Sequence, residues 1–370
     1  MKNYRLLWVC SLVTLLSCSK SENATGPARS FYMAVTPWPA DFTAAELDTS
    51  YAFVKDHCDM VSQHFDDGIP YEEAYNNLPM PVDFQQDAQV RKAKTASGKK
   101  IFLSVSALDL SRKQKAAYYA KSTMPQSVKD SWTSLPVNDP HVVAAYIRYV
   151  SWLADYFQPS FINFGVESNS LQFDPLVFQQ YKSFIAQVYQ ALKIKYPGTP
   201  LMVSFMVDES AEGFSFAQQL LPYTDIIALS AYPYITVSSS VSGNTDPALF
   251  PANYFERFIN MAGKPWGFAE TGYTAENLVV PSYSLNKQGT PAWQKAYLEK
   301  ICGLAAEYNA KFLVWFCSKD YDAGNITLQS LGLYQDLFAL WQDTGLKDQA
   351  GNPRPAYETW KQWFSKPYKN

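Results

Sequence analysis

Two glutamates each come directly after a short apolar run. Glu167 follows the run 161–166, and Glu270 follows the run 266–269. A charged group at the end of a buried strand is costly unless it is paired or used chemically. Two carboxyl groups at one site can cleave a glycosidic bond, because one protonates the leaving oxygen while the other attacks the anomeric carbon. The alternative is that each glutamate is an ion-paired residue at the rim of the fold.

Eight short runs, rich in β-branched or aromatic residues, are predicted to be strands. They are 31–36, 59–65, 100–106, 160–166, 200–206, 224–230, 264–269 and 311–317. Amphipathic helical patterns lie between them. Eight strands alternating with helices over about 340 residues predict an α/β fold with a single (β/α)8 TIM barrel, residues 31–370. An open doubly wound sheet is the alternative, but no glycine-rich phosphate turn follows the first strand.

Helix-start signals of two kinds support this alternation, a capping box and proline at the first helical position. They occur at Thr43 to Glu46, Asp139-Pro140, Pro175 and Pro291. Three long segments that follow predicted strands are predicted to be loops. They are 66–83, 107–138 and 232–250. Because the loops after strands build the active-site face of a barrel, we expect the two glutamates to lie at that face.

The composition excludes several classes of protein. The 370 residues have a formal net charge of -3 and no Lys/Arg-rich run, so we expect no nucleic-acid partner. The histidines His57, His64 and His141 lack a metal-binding spacing, and neither a GxSxG elbow nor a phosphate loop occurs. We therefore expect no metal or organic cofactor. An aromatic fraction of 16% fits either a large packed core or a protein whose flat rings stack on sugars.

The strand ends resemble those of a known group of enzymes. Glu167 after the fourth predicted strand and Glu270 after the seventh are similar to the acid/base and the nucleophile of glycoside hydrolase clan A. The stretch 269–273 (AETGY) and the sixth strand with its end, 225–233 (DIIALSAYP), resemble motifs of family 53, the endo-β-1,4-galactanases. One position departs from the pattern. Clan A usually has asparagine before the acid/base, whereas this chain has Val166.

The resemblance also supplies candidate substrate-binding residues. They are Trp38, His64, Asn169, Tyr232 and Trp315. Trp38 and Trp315 are candidate sugar platforms, and Trp315 matches the aromatic floor of the clan. Tyr232 has the place of a tyrosine that bonds the nucleophile, while Asn169 or His64 could make the sugar hydrogen bond that a valine at position 166 cannot. Each of these residues has a structural alternative, as a packing residue or as a polar residue satisfied in the core.

The resemblance implies a retaining glycoside hydrolase that cleaves a β-linked polysaccharide or oligosaccharide, with galactan and mannan as candidates. Glu167 would be the acid/base and Glu270 the nucleophile. The partner is then a carbohydrate, and we expect a monomer. The alternative is a surface lipoprotein that binds glycans on a TIM-barrel scaffold without turnover, and Val166 is the reason to consider it.

The N-terminus has the features of a secretory leader. Lys2 and Arg5 precede the apolar stretch 6–16, which is too short to cross a bilayer, since crossing needs roughly 20 residues. The sequence Leu-Leu-Ser-Cys at 15–18 resembles a bacterial lipobox, in which the cysteine is lipidated. An ordinary signal peptide with an incidental cysteine is the alternative.

We predict a signal peptide at 1–17, lipidation of Cys18 and a polar tether at 18–30. The protein would then be a membrane-anchored lipoprotein in the periplasm or at the cell surface. The cysteines that remain are Cys58, Cys302 and Cys317. Their odd number and the lack of a CxxC motif favour three buried thiols over a disulfide framework, although the last two could pair.

A Cys18→Ser variant tests the anchor. Because the acylated cysteine provides the membrane attachment, we expect this variant to be soluble or unprocessed when cells are fractionated. Cys10→Ser, within the predicted leader, is the control and should fractionate with membranes like the wild type. Membrane fractionation of Cys18→Ser that equals the wild type would contradict lipidation.

Overall fold

The computed structural model describes residues 28–170, 174–237 and 243–369, and its main feature is a parallel sheet. The strands of this sheet are β1 Tyr32–Val35, β2 Met60–Phe65, β3 Lys100–Val105, β4 Phe161–Asn163, β5 Leu201–Met202, β6 Ser204–Met206, β7 Ile227–Ala231, β8 Trp266–Thr271 and β11 Phe312–Trp315. A separate antiparallel hairpin pairs β9, Leu278–Val280, with β10, Leu285–Lys287. All eight predicted strands are therefore present.

The sheet closes on itself through one interrupted strand. Its order is β5-β4-β3-β2-β1-β11-β8-β7-β6, so its two edges are β5 and β6. Only Val203 separates β5 from β6 along the chain. The two edges are thus consecutive pieces of one segment, and the sheet is a closed eight-stranded barrel. The prediction of a single TIM barrel is confirmed.

Helices surround the barrel. They are α1 Ala44–His57, α2 Tyr71–Tyr75, α3 Val82–Lys94, α4 Gln126–Ser134, α5 Pro140–Phe157, α6 Pro175–Lys195, α7 Ala211–Leu220, α8 Pro233–Thr236, α9 Glu256–Ile259, α10 Pro291–Glu307, α11 Asp322–Ser330 and α12 Pro355–Phe364. The predicted starts are confirmed: Thr43 and Asp139 cap α1 and α5 with their side chains. The three predicted loops contain the short helices α2, α4 and α8, which bury aromatic side chains such as Tyr71 and Trp132.

The barrel interior is filled in layers, because every second residue of a strand points inward. The lowest layer is apolar and includes Ala34, Met60, Phe102, Phe161, Met202, Ala228 and Phe312. The next inward residues are polar. The Nδ2 of Asn163 donates to the hydroxyls of Ser104 and Ser204, at 3.1 and 3.3 Å. This polar layer supports the side chains at the carboxyl ends of the strands.

A second, larger core lies between the strands and the helices. It contains most of the buried aromatic side chains, among them Tyr297, Trp315 and Trp360, which are fully buried. The high aromatic fraction of the chain is therefore used mainly for packing. Three free cysteines, Cys58, Cys302 and Cys317, are also buried, so the last two do not pair.

Arg29 belongs to the folded domain, although the sequence placed it in the tether. Its side chain is 3% exposed, and its guanidinium donates to both carboxylate oxygens of Asp59, at 2.6 and 2.8 Å. Backbone hydrogen bonds join Arg29 to Pro367 and Lys369 near the C-terminus. The predicted boundary after residue 30 is therefore wrong, since the barrel already includes Arg29.

The predicted signal peptide and Cys18 lie outside the described residues. Within the described part of the chain, no helix is both long enough and apolar enough to cross a membrane.

Candidate active site

Glu167 lies in a tight turn at the carboxyl end of β4. Its φ of 50° is in the left-handed region, which is uncommon for a residue other than glycine and costs of order 1–3 kcal/mol. Ser204 on β6 holds the turn. Its hydroxyl accepts the N–H of Glu167 at 2.9 Å, and its carbonyl accepts the N–H of Ser168 at 2.8 Å. The polar layer of the barrel thus fixes the position of Glu167.

A β-bulge in β8 places Glu270. On β7, Leu229 lies opposite Phe268, but the next residue, Ser230, lies opposite Glu270. Ala269 is therefore an extra residue in β8, and it packs in the barrel interior. Bulges of this kind change the direction of the following side chain and are common beside active sites.

Ser230 joins the two carboxylates in one site. Its hydroxyl donates to Oε1 of Glu167 at 2.7 Å, while its backbone lies opposite Glu270 in the sheet. The two residues predicted to be catalytic are therefore brought together at the carboxyl end of the barrel, which we call the mouth. Their side chains are 15% and 21% exposed, so each carboxylate is accessible from solvent.

Arg112 occupies the second oxygen of Glu167. Its Nε donates to Oε2 of Glu167 at 2.8 Å, and its Nη1 donates to the carbonyl of Asp109 and the hydroxyl of Ser106. Burial opposes ionisation of Glu167, but the charge of Arg112 and the hydrogen bonds from Ser230 and Arg112 outweigh burial. The pKa of Glu167 is therefore lowered from its ordinary value. The surroundings of Glu167 in the free protein therefore favour its ionised form.

Tyr232 and His64 hold Glu270. The hydroxyl of Tyr232 donates to Oε1 of Glu270 at 2.6 Å, and Nδ1 of His64 lies 3.5 Å from Oε2. Burial raises the pKa of Glu270, the charge of His64 and the bond from Tyr232 lower it, and the charge of Glu167 raises it. The net result is a raised pKa. On acidification of the free protein, Glu270 therefore takes up a proton before Glu167 does.

His64 links Glu270 to Asp66. The Nε2 of His64 lies 3.3 Å from Oδ2 of Asp66. Burial lowers the pKa of His64, but the charge and hydrogen bond of Asp66, with the charge of Glu270, raise it overall. Burial favours protonated Asp66, yet His64 outweighs it and lowers the pKa of Asp66 to about 2. His64 thus lies at the mouth as predicted, where it pairs with carboxylates on both sides.

Of the two predicted aromatic platforms, only Trp38 reaches the mouth. Trp38 follows β1 and is half-buried. Trp315 is completely buried, its Nε1 donates to the carbonyl of Thr344 at 3.0 Å, and it belongs to the core between strands and helices. The prediction that Trp315 binds sugar is therefore wrong. Phe316, the next residue, points the other way, and its half-buried ring lies 5.9 Å from that of Trp38.

Asn169 is a structural residue. It is completely buried, and its Oδ1 accepts the N–H of Met206 at 2.7 Å. Its Nδ2 donates to the carbonyls of Met206 and Gly213, at 3.0 and 3.1 Å. The prediction that Asn169 supplies a sugar hydrogen bond in place of residue 166 is therefore wrong, because its amide is used to join two backbone segments. Val166 is buried as well, so position 166 offers no polar contact to a ligand.

Four residues of the mouth were missed by the sequence analysis. They are Asp66, Arg112, Ser230 and Phe316. Ser230 had a signal, since a serine at the end of an apolar strand is unusual unless it is hydrogen-bonded. Asp66 lies two residues after the predicted site residue His64, and Phe316 directly follows the predicted site residue Trp315. Arg112 had no signal, because it lies in a long segment without a readable motif.

One group of carboxylates in the described ranges could hold a cation. It consists of Glu276, Asp320 and Asp343, and it does not include the carboxylates of the mouth. The guanidinium of Arg354 contacts Asp320 and donates to Glu276 at 2.8 Å. The guanidinium of Arg354 therefore already balances part of the negative charge that a cation would otherwise neutralise.

Comparison with known proteins gives structural matches alone. No protein-family model matches the chain, and neither does any curated protein. A GH5_18 protein from Bifidobacterium longum, in complex with Manβ1-4GlcNAc, matches with a TM-score of 0.61 at 15% identity. The match covers 92% of this chain and 80% of that chain.

Two further solved structures have the same architecture. An exo-β-1,4-mannosidase from an Opitutaceae bacterium matches with a TM-score of 0.58 at 15% identity, over 91% of this chain and 59% of that chain. A fungal β-1,4-galactanase matches with a TM-score of 0.52 at 12% identity, over 90% of this chain and 99% of that chain. At these identities the likeness shows the fold, and the fold implied by the resemblance to clan A is confirmed.

Alanine variants of Trp315 and Trp38 test which of the two side chains belongs to the packed core. Trp315→Ala should lower the free energy of unfolding by about 3–5 kcal/mol, because it leaves a large cavity in a closed core. Trp38→Ala should cost less than about 2 kcal/mol, because part of that ring stays in contact with water. Urea denaturation of both variants measures the difference. Equal decreases for the two tryptophan variants would contradict their placement.

Proposed function

We propose that this protein is a retaining β-glycoside hydrolase of the clan A type. The observation that carries the proposal is the pair of carboxylates, Glu167 and Glu270, that Ser230 connects at the mouth of the barrel. Paired carboxyl groups of this kind perform glycoside hydrolysis by a double displacement. The solved structures with this fold include a mannosidase and a galactanase, which supports the same reaction type.

Glu270 is the proposed nucleophile. Tyr232 donates to one of its oxygens and His64 lies beside the other, so the carboxylate is held in one orientation. The deprotonated Glu270 attacks the anomeric carbon, and the glycosidic C–O bond breaks as the new C–O bond forms. Glu167 gives its proton to the leaving oxygen in this first step. Water then attacks the same carbon, gives a proton to Glu167 and releases Glu270 as a carboxylate, so that the configuration of the sugar is retained.

Glu167 is the proposed acid/base, and it must gain a proton before the first step. In the free protein Arg112 and Ser230 donate to its two oxygens, so neither oxygen carries a proton to give. The raised pKa of Glu270 and the lowered pKa of Glu167 place the first proton of the pair on Glu270. The reactive form of the pair has the proton on Glu167 and an ionised Glu270, which is the opposite of the order in which the two carboxyl groups take up protons in the free protein.

The proposed substrate is a β-linked polysaccharide or oligosaccharide. Mannans and galactans are the first to test, since structural neighbours are a β-1,4-mannosidase and a β-1,4-galactanase. We further propose that the protein acts outside the cytoplasm, attached by lipid at Cys18, because residues 1–18 have the pattern of a lipoprotein leader.

A second candidate function is glycan binding without turnover. Two observations favour it: both oxygens of Glu167 accept hydrogen bonds in the free protein, and Val166 is buried where the clan has a polar side chain. Wild-type protein that binds a glycan at the mouth but hydrolyses none would establish this alternative.

Alanine variants of the two glutamates assign their roles. Glu270→Ala should abolish turnover, and azide should restore part of it with inverted configuration, because a small anion can enter the space of the nucleophile. Glu167→Ala should still form the glycosyl-enzyme from a substrate with a good leaving group, and azide should capture it with retained configuration. Product analysis by NMR distinguishes the two outcomes.

The matched control is Glu299→Ala, which alters an exposed residue of α10 and should keep wild-type activity. If both Glu167→Ala and Glu270→Ala also keep wild-type activity on an accepted substrate, the assignment of the site is wrong.

Arg112→Gln tests how Arg112 controls the acid/base. Removing the positive charge should raise the pKa of Glu167. The alkaline limb of kcat/KM follows the higher of the two coupled pKa values of the free protein. Because the charge of Arg112 lowers the pKa of both glutamates, this limb should move to higher pH in the variant. The exposed neighbour Lys113→Gln should leave the limb in place. A profile of Arg112→Gln that is lower at every pH but unchanged in shape would contradict this role.

A further inference from the structure

A second concave site adjoins the mouth on the side of β2. It is a cavity of about 350 Å³, lined by the side chains of Phe65 and Phe84, by Tyr119 and Tyr149, and by the acidic residues Asp67 and Asp83. Small-molecule sites in proteins have volumes of about 300–1,000 Å³, so the cavity has the size of a site for a small ligand.

Two tyrosines in this cavity have hydroxyl groups without a hydrogen-bond partner among the described residues. Tyr119 and Tyr149 are 7% and 2% exposed, and neither hydroxyl forms a hydrogen bond within the described part of the chain. A buried tyrosine hydroxyl usually has a partner. Every other buried tyrosine of the described ranges has one, and examples are Tyr71, Tyr146 and Tyr234. The two exceptions line the same cavity, where a bound ligand can complete their hydrogen bonds in place of water.

Carboxylates supply the acceptors of the cavity. Asp67 and Asp83 have exposed side chains and form no ion pair within the described residues, whereas Asp87 on the same side is paired with Arg91 at 2.7 Å. Burial and then the charges of Asp67, Asp83 and Asp87 raise the pKa of Tyr119 to about 12, so its hydroxyl keeps its proton. The cavity therefore offers neutral O–H donors, carboxylate acceptors and apolar rings.

This combination fits a neutral sugar unit. The hydroxyls of a sugar both donate and accept, so they can donate to Asp67 and Asp83 and accept from Tyr119 and Tyr149. The apolar face of the ring can lie against Phe42, which lines the cavity and is 46% exposed. Among the described residues that line the cavity, Lys121 is the one basic side chain against three aspartates, so the charge disfavours a uronic acid or a sulfated sugar.

The cavity and the mouth are neighbours along the chain and in space. Asp67 directly follows Asp66, which pairs with His64 beside Glu270. Phe42 lines the cavity, and its ring lies 6.0 Å from that of Trp38 at the mouth. One extended glycan can therefore reach both places.

We propose that this cavity is a non-catalytic subsite for a neutral sugar unit of the same glycan whose bond is cut between Glu167 and Glu270. This proposal rests on the proposed function only in stating that the bound glycan is also cut at the mouth. Binding of the sugar unit itself depends on the side chains of Tyr119, Tyr149, Asp67 and Asp83. It makes the protein selective for neutral oligosaccharides over short or acidic ones.

The test uses a Tyr119→Phe, Tyr149→Phe double variant. It removes two hydroxyl groups that have no partner within the described residues, so the fold should be kept. For a neutral tetrasaccharide that the wild type accepts, KM should rise about tenfold, which corresponds to about 1.4 kcal/mol of binding free energy. For an aryl monoglycoside, which fills only the mouth, kcat/KM should not change. Tyr283→Phe, at an exposed tyrosine elsewhere, is the matched control.

Direct binding separates this subsite from the hydrolase proposal. Calorimetry with neutral β-linked oligosaccharides of mannan, galactan and glucan should give an affinity for the wild type that the double variant loses, even if the wild type hydrolyses none of them. Equal affinities of wild type and double variant would overturn the subsite, whatever hydrolysis shows. So would the absence of binding to every neutral oligosaccharide of the panel, or equal affinity for a polyuronic acid of the same length.

Discussion

The alternation of side chains along closed parallel strands is the constraint on which the site depends. In a barrel, residues two apart on a strand stack in successive interior layers. Here an apolar layer with Phe102 and Phe161 is followed by a polar layer with Ser104 and Asn163, and the charged residues lie above both. Each layer supports the next, because the hydroxyl of Ser204 in the polar layer fixes the strained turn of Glu167.

Charge balance is the second organising feature of the mouth. Three carboxylates, Asp66, Glu167 and Glu270, meet two cationic side chains, His64 and Arg112, so that each carboxylate has a partner. A buried carboxylate without a partner would be protonated or would destabilise the fold. The pairing with Arg112 favours the ionised form of Glu167, whereas burial and then the neighbouring charge of Glu167 raise the pKa of Glu270. On acidification the first proton therefore binds Glu270, the carboxylate that the proposed reaction needs ionised.

The two wrong site residues show how local patterns fail. Trp315 stands at the end of a barrel strand, as a sugar platform should, but the alternation turns it outward and brings Phe316 to the mouth. Asn169 lies two residues after Glu167, yet its amide joins the backbone at Met206 and Gly213. In both cases the residue type and the approximate position were suitable. The direction of the side chain was not suitable. It is set by strand pairing for Trp315 and by the tight turn at Glu167 for Asn169.

Local sequence patterns are sufficient to predict the strands and helices and their order. Apolar runs predicted the eight strands, capping residues such as Thr43 and Asp139 predicted helix starts, and two glutamates at strand ends predicted the place of the site. These signals are local, because periodicity and capping act within a few residues. The partners of the two glutamates, in contrast, come from distant parts of the chain. Arg112 lies 55 residues from Glu167 and Ser230 lies 63 residues from it, and the bulge at Ala269 arises from strand pairing. Such contacts form when the barrel closes, since closure brings together strand ends and loops that no short stretch of sequence relates to each other.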